Sequence, residues 1–389
     1  MNTIDYRTKT LFIKNKQLTV GDKWGIAVDI GYSGTKIYGP NIIACFPSFA
    51  LPVKGNLLDV KGDENSAILY RGEDGVIWKV GKSAQDTISP LDPDTASMAI
   101  YGRQRYFDPM FLVVARTALG IACTENEFGS PKGKEIFLET GLPNSYIRAD
   151  TPLLRDVLSG THSFDLKIGS SGWMHYDIDL EEKNIFVMQQ PMGALVSVST
   201  DENGDSDQAY YKSSVLICDP GFGTMDCFSL KGGEMNGVET FDSLGMKQVL
   251  SETVNKIYEK YRVEIPVPAV QKYLENGYIT TFDRKTRTGN NVDFSDILEE
   301  SSEKVANRAI DKLSELYNDL LEYRYLIITG GTGQAWYDKF ENAFKGLPNL
   351  TLVPGNQRMP VINKKMLPFI FANVRGYYLY LMHKFMRQK

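Results

Sequence analysis

Two short stretches place acids, glycines and hydroxyls in a spacing suited to phosphate chemistry. "WGIAVDIGYSGTKIYG" (residues 24–39) runs from an apolar strand into Asp29, then Gly31, Tyr32, Ser33, Gly34, Thr35 and Lys36, and turns apolar again. "SSVLICDPGFGTMDCFSL" (213–230) repeats the order with Asp219, Gly221, Phe222, Gly223, Thr224 and Asp226 between two apolar runs. Glycines allow a tight turn whose backbone N–H groups point inward, and their missing side chains let phosphate oxygens approach. Ser33, Thr35 and Thr224 can add hydroxyl donors, and Lys36 a cation for the β- and γ-phosphates. A carboxylate repels a phosphate, so Asp29 and Asp219 must face a cation or water; magnesium keeps several waters and takes carboxylates readily. One Asp-x-Gly turn is commonplace. Two of them, about 190 residues apart in matching strand context, indicate two domains of related fold that grip a nucleoside triphosphate from both sides.

A third glycine cluster, "ITGGTGQAW" (328–336), follows a strand. It lacks the spacing of a P-loop. Its Gly330, Gly331, Thr332 and Gly333 could offer a flat backbone surface to a base or ribose, or could be a plain strand-to-helix turn.

These motifs need a framework. At 389 residues, 42% of them hydrophobic and 23% charged, the chain can bury a core and divides most simply into two domains. Its net charge of -5 argues against direct nucleic-acid binding as the main task. Cys45, Cys123, Cys218 and Cys227 have no CxxC spacing and there are three histidines, so no zinc site is expected and a reduced, cytoplasmic chain is the simplest reading. No signal-peptide core opens the sequence, and no apolar run reaches the roughly 18 residues of a membrane helix.

Along the chain, residues 1–22 are polar and mixed in charge and read as an extension outside the core. Residues 23–47 read as a meander of strands, and 50–105 as a smaller surface insertion. Pro109 opens a helix over 108–123, and 135–143 is a buried strand ending in a loop. The acidic "DENGDSDQ" (201–208) reads as a solvated hairpin tip joining "GALVSVST" to "SSVLICD". Helical spacing places Val249, Leu250, Val254, Ile257 and Tyr258 on one face. A longer stripe follows at Ile297, Leu298, Val305, Ala309, Leu313, Leu316 and Leu320, with Ser295 as N-cap. A strand at 325–331 and a helix after Pro368 complete an α/β alternation.

Taken together, the motifs resemble those of the actin, Hsp70 and sugar-kinase ATPase superfamily. "VDIGYSGTK" and "CDPGFGTMD" resemble its two phosphate loops, "ITGGTGQ" its adenosine loop, and "FVMQQPMGAL" (186–195) and "FANVRGYYLY" (371–380) its connecting segments, all in family order. "ETGLPNSYI" (139–147) resembles the Gly-Leu-Pro segment of bacterial actin-like proteins of the ParM type, the filament-forming motors of plasmid segregation. The resemblance implies an α/β, actin-like ATPase fold: two RNase H-like domains around a nucleotide cleft, each with an inserted smaller subdomain. Residues 1–193, rejoined by 366–389, would form domain I with its insertion at about 46–110. Residues 194–365 would form domain II with its insertion at about 245–298.

The resemblance also implies roles for single residues. Gln190 falls where the family places a side chain that orients the attacking water. Asp219 falls where it places the carboxylate that helps hold that water and the hydrated magnesium. Asp29 would hold the metal's hydration shell, and Lys36 the phosphates. The helix "VPAVQKYLENG" (267–277) falls in the adenosine-contacting region and offers Gln271 and Glu275. The implied protein binds ATP or GTP with Mg2+, polymerises head to tail with itself, and segregates plasmid DNA through a DNA-binding adaptor protein, with no membrane and no direct nucleic-acid contact. The alternatives are another bacterial cytoskeletal actin, or a sugar- or acetate-type kinase of the same superfamily. A kinase needs a carboxylate base toward a substrate hydroxyl. Single aspartates such as Asp92 and Asp94 are the candidates, whereas Gln190, a poor base, favours water as acceptor.

Overall fold

The computed structural model describes residues 2–53, 67–88 and 103–387, so Asp92 and Asp94 lie outside the described residues. Apolar alternation and glycine turns build two sheets of matching topology. In the first, β2 (Lys23–Ile30), β3 (Gly34–Tyr38) and β4 (Ile42–Pro47) form an antiparallel meander. β8 (Glu135–Leu142) joins β2 in parallel, and β11 (Ile185–Gln189) joins β8. A further strand, β1 (Leu11–Lys14), pairs with the outer edge of β4. In the other sheet, β12 (Val215–Pro220), β13 (Met225–Lys231) and β14 (Glu234–Phe241) repeat the meander. β17 (Tyr325–Ile328) and β18 (Thr351–Pro354) then add in parallel. The orders β4-β3-β2-β8-β11 and β14-β13-β12-β17-β18 are therefore equivalent, as the doubled Asp-x-Gly motif anticipates.

Smaller elements attach to each sheet. β5 (Ala50–Pro52), β6 (Ile68–Arg71) and β7 (Ile77–Val80) share a sheet with β9 (Gly160–Ile168) and β10 (Met174–Leu180), so strands from both sides of residue 110 build it. The short helix α1 (Lys82–Gln85) follows β7. Helix α2 (Pro109–Ala122) starts at Pro109, as predicted, and is capped by the Asp108 carboxylate. Helix α3 (Ile147–Leu158) follows β8.

Two helices connect the halves: α4 (Gln190–Ser199) and α10 (Ala372–Arg387). They cross where Gly193 meets Gly376, and a Cβ on Gly376 would fall on the Gly193 carbonyl oxygen. Arg375, 2% exposed, donates to the carbonyls of Ser197 (2.6 Å) and Thr200 (3.2 Å), placing a cation at the C-terminal end of α4.

Beyond α4 come the short helix α5 (Gln208–Lys212), α6 (Met246–Tyr261) and α7 (Val267–Asn276). The hairpin β15 (Tyr278–Asp283) and β16 (Thr288–Asp293) leads into α8 (Ser295–Leu316), and α9 (Gly331–Phe344) follows β17. Val249, Leu250 and Ile257 of α6 are buried, as are Ile297, Leu298, Val305, Ala309 and Leu313 of α8.

Four local readings need correction. "GALVSVST" lies in helix α4, not in a strand, and the acidic stretch is the loop from α4 to α5. Its β-branched alternation reads as strand, but Pro191 opens a helix and Gly193 and Ala194 fit its crowded crossing with α10. Ser295 is the first residue of α8; its N–H is capped by Asp293 (2.7 Å). Tyr258 is exposed at the end of its stripe and Leu316 at the last position of α8, while Leu320 lies beyond that helix and is buried. The expected extension over residues 1–22 is, from residue 2 onward, not outside the core: Thr3, Tyr6, Arg7 and Val20 are buried, and the polar groups of Thr3, Tyr6 and Arg7 find partners far along the chain. Among the described residues, no helix is long and apolar enough to cross a membrane.

Candidate nucleotide site

The two Asp-x-Gly motifs form the same turn. Gly31 N–H donates to the Gly34 carbonyl (3.2 Å) between β2 and β3, and Gly221 N–H to the Thr224 carbonyl (2.8 Å) between β12 and β13. Each turn projects from the end of its sheet, and the two meet: a Cβ on Gly223 would lie 2.7 Å from the Tyr32 ring. Between them lies a cavity of about 490 Å³, within the range of small-molecule sites.

The hairpins differ in what faces each aspartate. Asp29 sits across the ladder from Lys36, whose Nζ is 3.0 Å from Asp29 Oδ2. Asp219 sits across from Asp226, another buried carboxylate. The first acid is neutralised inside its hairpin and the second is not. Burial pushes the Asp219 carboxyl up to about 7; Asn373 opposes the rise, and Asp226 and Asp29 add to it. Burial likewise raises Asp226 to about 6, against hydrogen bonds from Thr240 (2.6 Å) and Thr224 (2.9 Å). A site that concentrates negative charge on one wall suits a cation.

The connecting helices bring further groups to the cavity. Gln190, the first residue of α4, donates from Nε2 to Asp29 Oδ1 (3.1 Å). Asn373, in the first turn of α10, donates to Asp219 Oδ2 (2.6 Å), and its own Oδ1 has no partner within the chain. The turn from β17 into α9 closes the far end. Gly330 has φ +78°, and a Cβ there would strike Asp219 Oδ1. Thr332 Oγ1 donates to the Gly221 carbonyl (2.7 Å), which locks the third glycine cluster onto the second turn.

Of the residues singled out in the sequence, Asp29, Gln190, Asp219, residues 31–34, Lys36, residues 221–224, Gly330, Gly331 and Thr332 line this cavity together. Four others lie off the wall. Thr35 is fully buried, with its hydroxyl 2.8 Å from Ser48 Oγ. Gly333 packs against Ile328 and Pro220. Gln271 accepts from the Thr8 N–H (3.0 Å), and Glu275 forms ion pairs with Arg7 and Lys82. Sequence reasoning assigned no role to Asn373, Asp226 or Arg105. Arg105 is 8% exposed, donates to the Ile30 carbonyl (2.9 Å) and lies over the Tyr32 ring at 5.0 Å. An asparagine within the apolar "FANV" was the one available signal for Asn373.

Residues 27–193 match the family of the N-terminal domain of actin-like proteins. The chain has an actin-like fold. No curated protein matches its sequence. A ParM from Clostridium botulinum, solved as a 15-stranded filament, is 20% identical with a TM-score of 0.69, over 94% of this chain and 100% of that one. Ta0583, an archaeal actin homologue, is 17% identical with a TM-score of 0.64, over 92% and 99%. In its complex with ADP the values are 16% and 0.60, over 92% and 99%. The actin-like fold thus spans nearly the whole chain, and the paired turns lie at the ends of its two equivalent sheets.

Proposed function

We propose that this actin-like protein is a nucleotide-dependent, filament-forming ATPase, and that its filaments move plasmid DNA through a DNA-binding adaptor. The observation that carries the reading is the pair of facing Asp-x-Gly turns, each closed by the same hydrogen bond, with Asp29 and Asp219 buried on opposite walls of one cavity. The chain works in the cytoplasm, with domain I as residues 1–193 and 366–389 and domain II as 194–365.

Turns 31–34 and 221–224 hold the phosphates through backbone N–H groups, with Ser33 and Thr224 as hydroxyl donors. Gly330, Gly331 and Thr332 bound the nucleoside end. The residues also fit a hydrated magnesium ion. Asp29 and Asp219 offer carboxylates, the Asn373 Oδ1 is an unused acceptor beside them, and no three His, Cys, Asp or Glu side chains converge as a direct ligand set among the described residues. Held through its waters, the ion would neutralise phosphate charge.

Hydrolysis then rests on positioning and electrostatics, without a covalent intermediate. Gln190 orients the attacking water while its amide stays on Asp29. Asp219, fixed by Asn373, accepts a hydrogen bond from that water. Closing the cleft sets the distance between Gln190 on one wall and Asp219 on the other, so assembly that closes the cleft accelerates hydrolysis. ATP or GTP favours the filament, and the diphosphate weakens it.

Sedimentation with and without nucleotide and magnesium, with phosphate release followed in parallel, tests this. We expect pelletable polymer above a critical concentration, and release per molecule that rises above it. An actin-like contact is head-to-tail and does not close on itself. No polymer with either nucleotide over a wide range of salt and protein, together with turnover stimulated by an acceptor metabolite, would establish the kinase reading instead.

A further inference from the structure

The segment from Asn2 to Lys9 runs across the mouth of the cleft, and six of its residues line the cavity beside the two phosphate turns. Its root is fixed, because β1 immediately follows and pairs with β4. Residues 8 and 9 lie on the first hairpin: a Cβ on Gly34 would be 3.1 Å from Thr8 Cγ2, and Cys45 Sγ donates to the Lys9 carbonyl (3.5 Å). The segment then docks on the opposite wall. Thr8 N–H donates to Gln271 of α7, Thr3 Oγ1 donates to the Leu274 carbonyl (2.8 Å), and Tyr6 OH donates to Ser302 of α8 (3.0 Å). Ser302 also accepts from Trp336 of α9 (3.0 Å), so Tyr6 sits where α7, α8 and α9 converge.

Arg7 joins the two sides outright. It is 8% exposed and pairs with Asp86, just after α1, at 2.7 Å, and with Glu275 of α7. Lys82 of α1 reaches the same Glu275 at 3.1 Å. The two α7 side chains expected at the base are therefore engaged by this segment, which stands between α7 and the cavity.

Resting on the nucleotide reading above, we infer that residues 2–9 are a strap forming a third wall of the cleft, which retains bound nucleotide. A nucleotide held between the two turns lies behind the strap, and its contacts with the strap exist only while the strap is docked. Docking and nucleotide binding therefore favour each other. The strap also ties the α1 side to the α7 side, so it holds the cleft closed while the nucleotide is inside.

The test is the dissociation rate and equilibrium affinity of fluorescently labelled ADP with magnesium, measured on the full chain. The variants are Arg7→Ala, Arg7→Lys and Tyr6→Phe. Arg7→Ala leaves Asp86 and Glu275, whose side chains are 37% and 40% exposed, free to hydrate. Arg7→Lys and Tyr6→Phe are mild enough to carry the test if Arg7→Ala does not fold. We expect dissociation about tenfold faster in Arg7→Ala, a matching loss of affinity, and smaller changes in the same direction in the other two. Rates and affinities of all folded variants within about twofold of the natural protein would overturn the inference alone. Tighter binding by the variants would also overturn it, since the segment would then be competing with the nucleotide. A natural protein that binds no labelled ADP would remove the nucleotide reading, and this inference with it.

Discussion

Asp219→Asn should stabilise the nucleotide-free protein while it abolishes turnover. Asp219 is 6% exposed, and burial lifts its carboxyl from 3.8 to about 7. A carboxyl that binds its proton more tightly in the folded state leaves stability intact below the ordinary carboxylate range. That stability is lost as the pH rises through about 7. Each pH unit of difference corresponds to about 1.4 kcal/mol, so the cost of keeping this acid is about 2 kcal/mol near pH 5 and about 4 kcal/mol near pH 8. Asparagine has the same shape without the charge, and its amide oxygen can keep the hydrogen bond from Asn373. Urea unfolding without nucleotide or divalent cation should therefore show Asp219→Asn ahead of the natural protein by a margin that grows with pH toward about 4 kcal/mol. Phosphate release with ATP and magnesium should fall by about 10² or more, since a water-holding carboxylate acts mainly in the transition state. A margin that does not change between acid and alkaline pH would refute the argument from burial. Unchanged turnover in the folded variant would refute the site.

Gln190→Ala should slow hydrolysis more than it weakens nucleotide binding, and filaments should persist longer once ATP is limiting. Single-turnover rates beside equilibrium binding check this, and a loss of affinity with an unchanged rate would make Gln190 a binding residue. Gly330→Ala adds a Cβ at φ +78° that strikes Asp219 Oδ1, and should cost roughly 2–3 kcal/mol in urea unfolding together with nucleotide affinity. Gly376→Ala drives a methyl into the Gly193 carbonyl, with Gly193 Cα only 2.8 Å away, and should cost roughly 3 kcal/mol or more. An unchanged unfolding midpoint would mean that α4 and α10 separate freely.

What could be read from the sequence was whatever is written locally. Asp29 and Asp219 announce themselves because each sits at the end of an apolar strand, directly before a glycine turn, and the duplicated pattern carries the duplicated sheet. Asn373 and Arg105 were not readable in that way. Their partners, Asp219 and the Ile30 carbonyl, lie 154 and 75 positions away, and neither residue belongs to a turn with a recognisable spacing. The N-terminal segment fails for the same reason. Thr3, Tyr6 and Arg7 look solvated in a polar stretch and become buried only because Leu274, Ser302, Asp86 and Glu275 are brought to them. The helix over "GALVSVST" shows the converse case. A β-branched alternation that favours a strand is overridden by Pro191 and by the close crossing with α10.

That crossing links the two chemical walls. Gln190 is the first residue of α4 and holds Asp29, while Asn373 lies in the first turn of α10 and holds Asp219. The same two helices touch at Gly193 and Gly376, and Arg375 binds α10 to the C-terminal end of α4. A rotation of one half of the molecule against the other must pass through these helices, because they pack on each other and against the strands of both sheets. Such a rotation is taken up at the Gln190–Asp29 and Asn373–Asp219 bonds, where the helix pair meets the two Asp-x-Gly turns on either side of the cavity. Backbone contact at two glycines leaves little room for slack between the helices. Changes of cleft angle are therefore transmitted to the distance between the Gln190 amide and the Asp219 carboxylate, the two groups proposed to hold the attacking water. This is the geometry needed if a contact between subunits, made far from the cleft, is to set the rate of hydrolysis inside it.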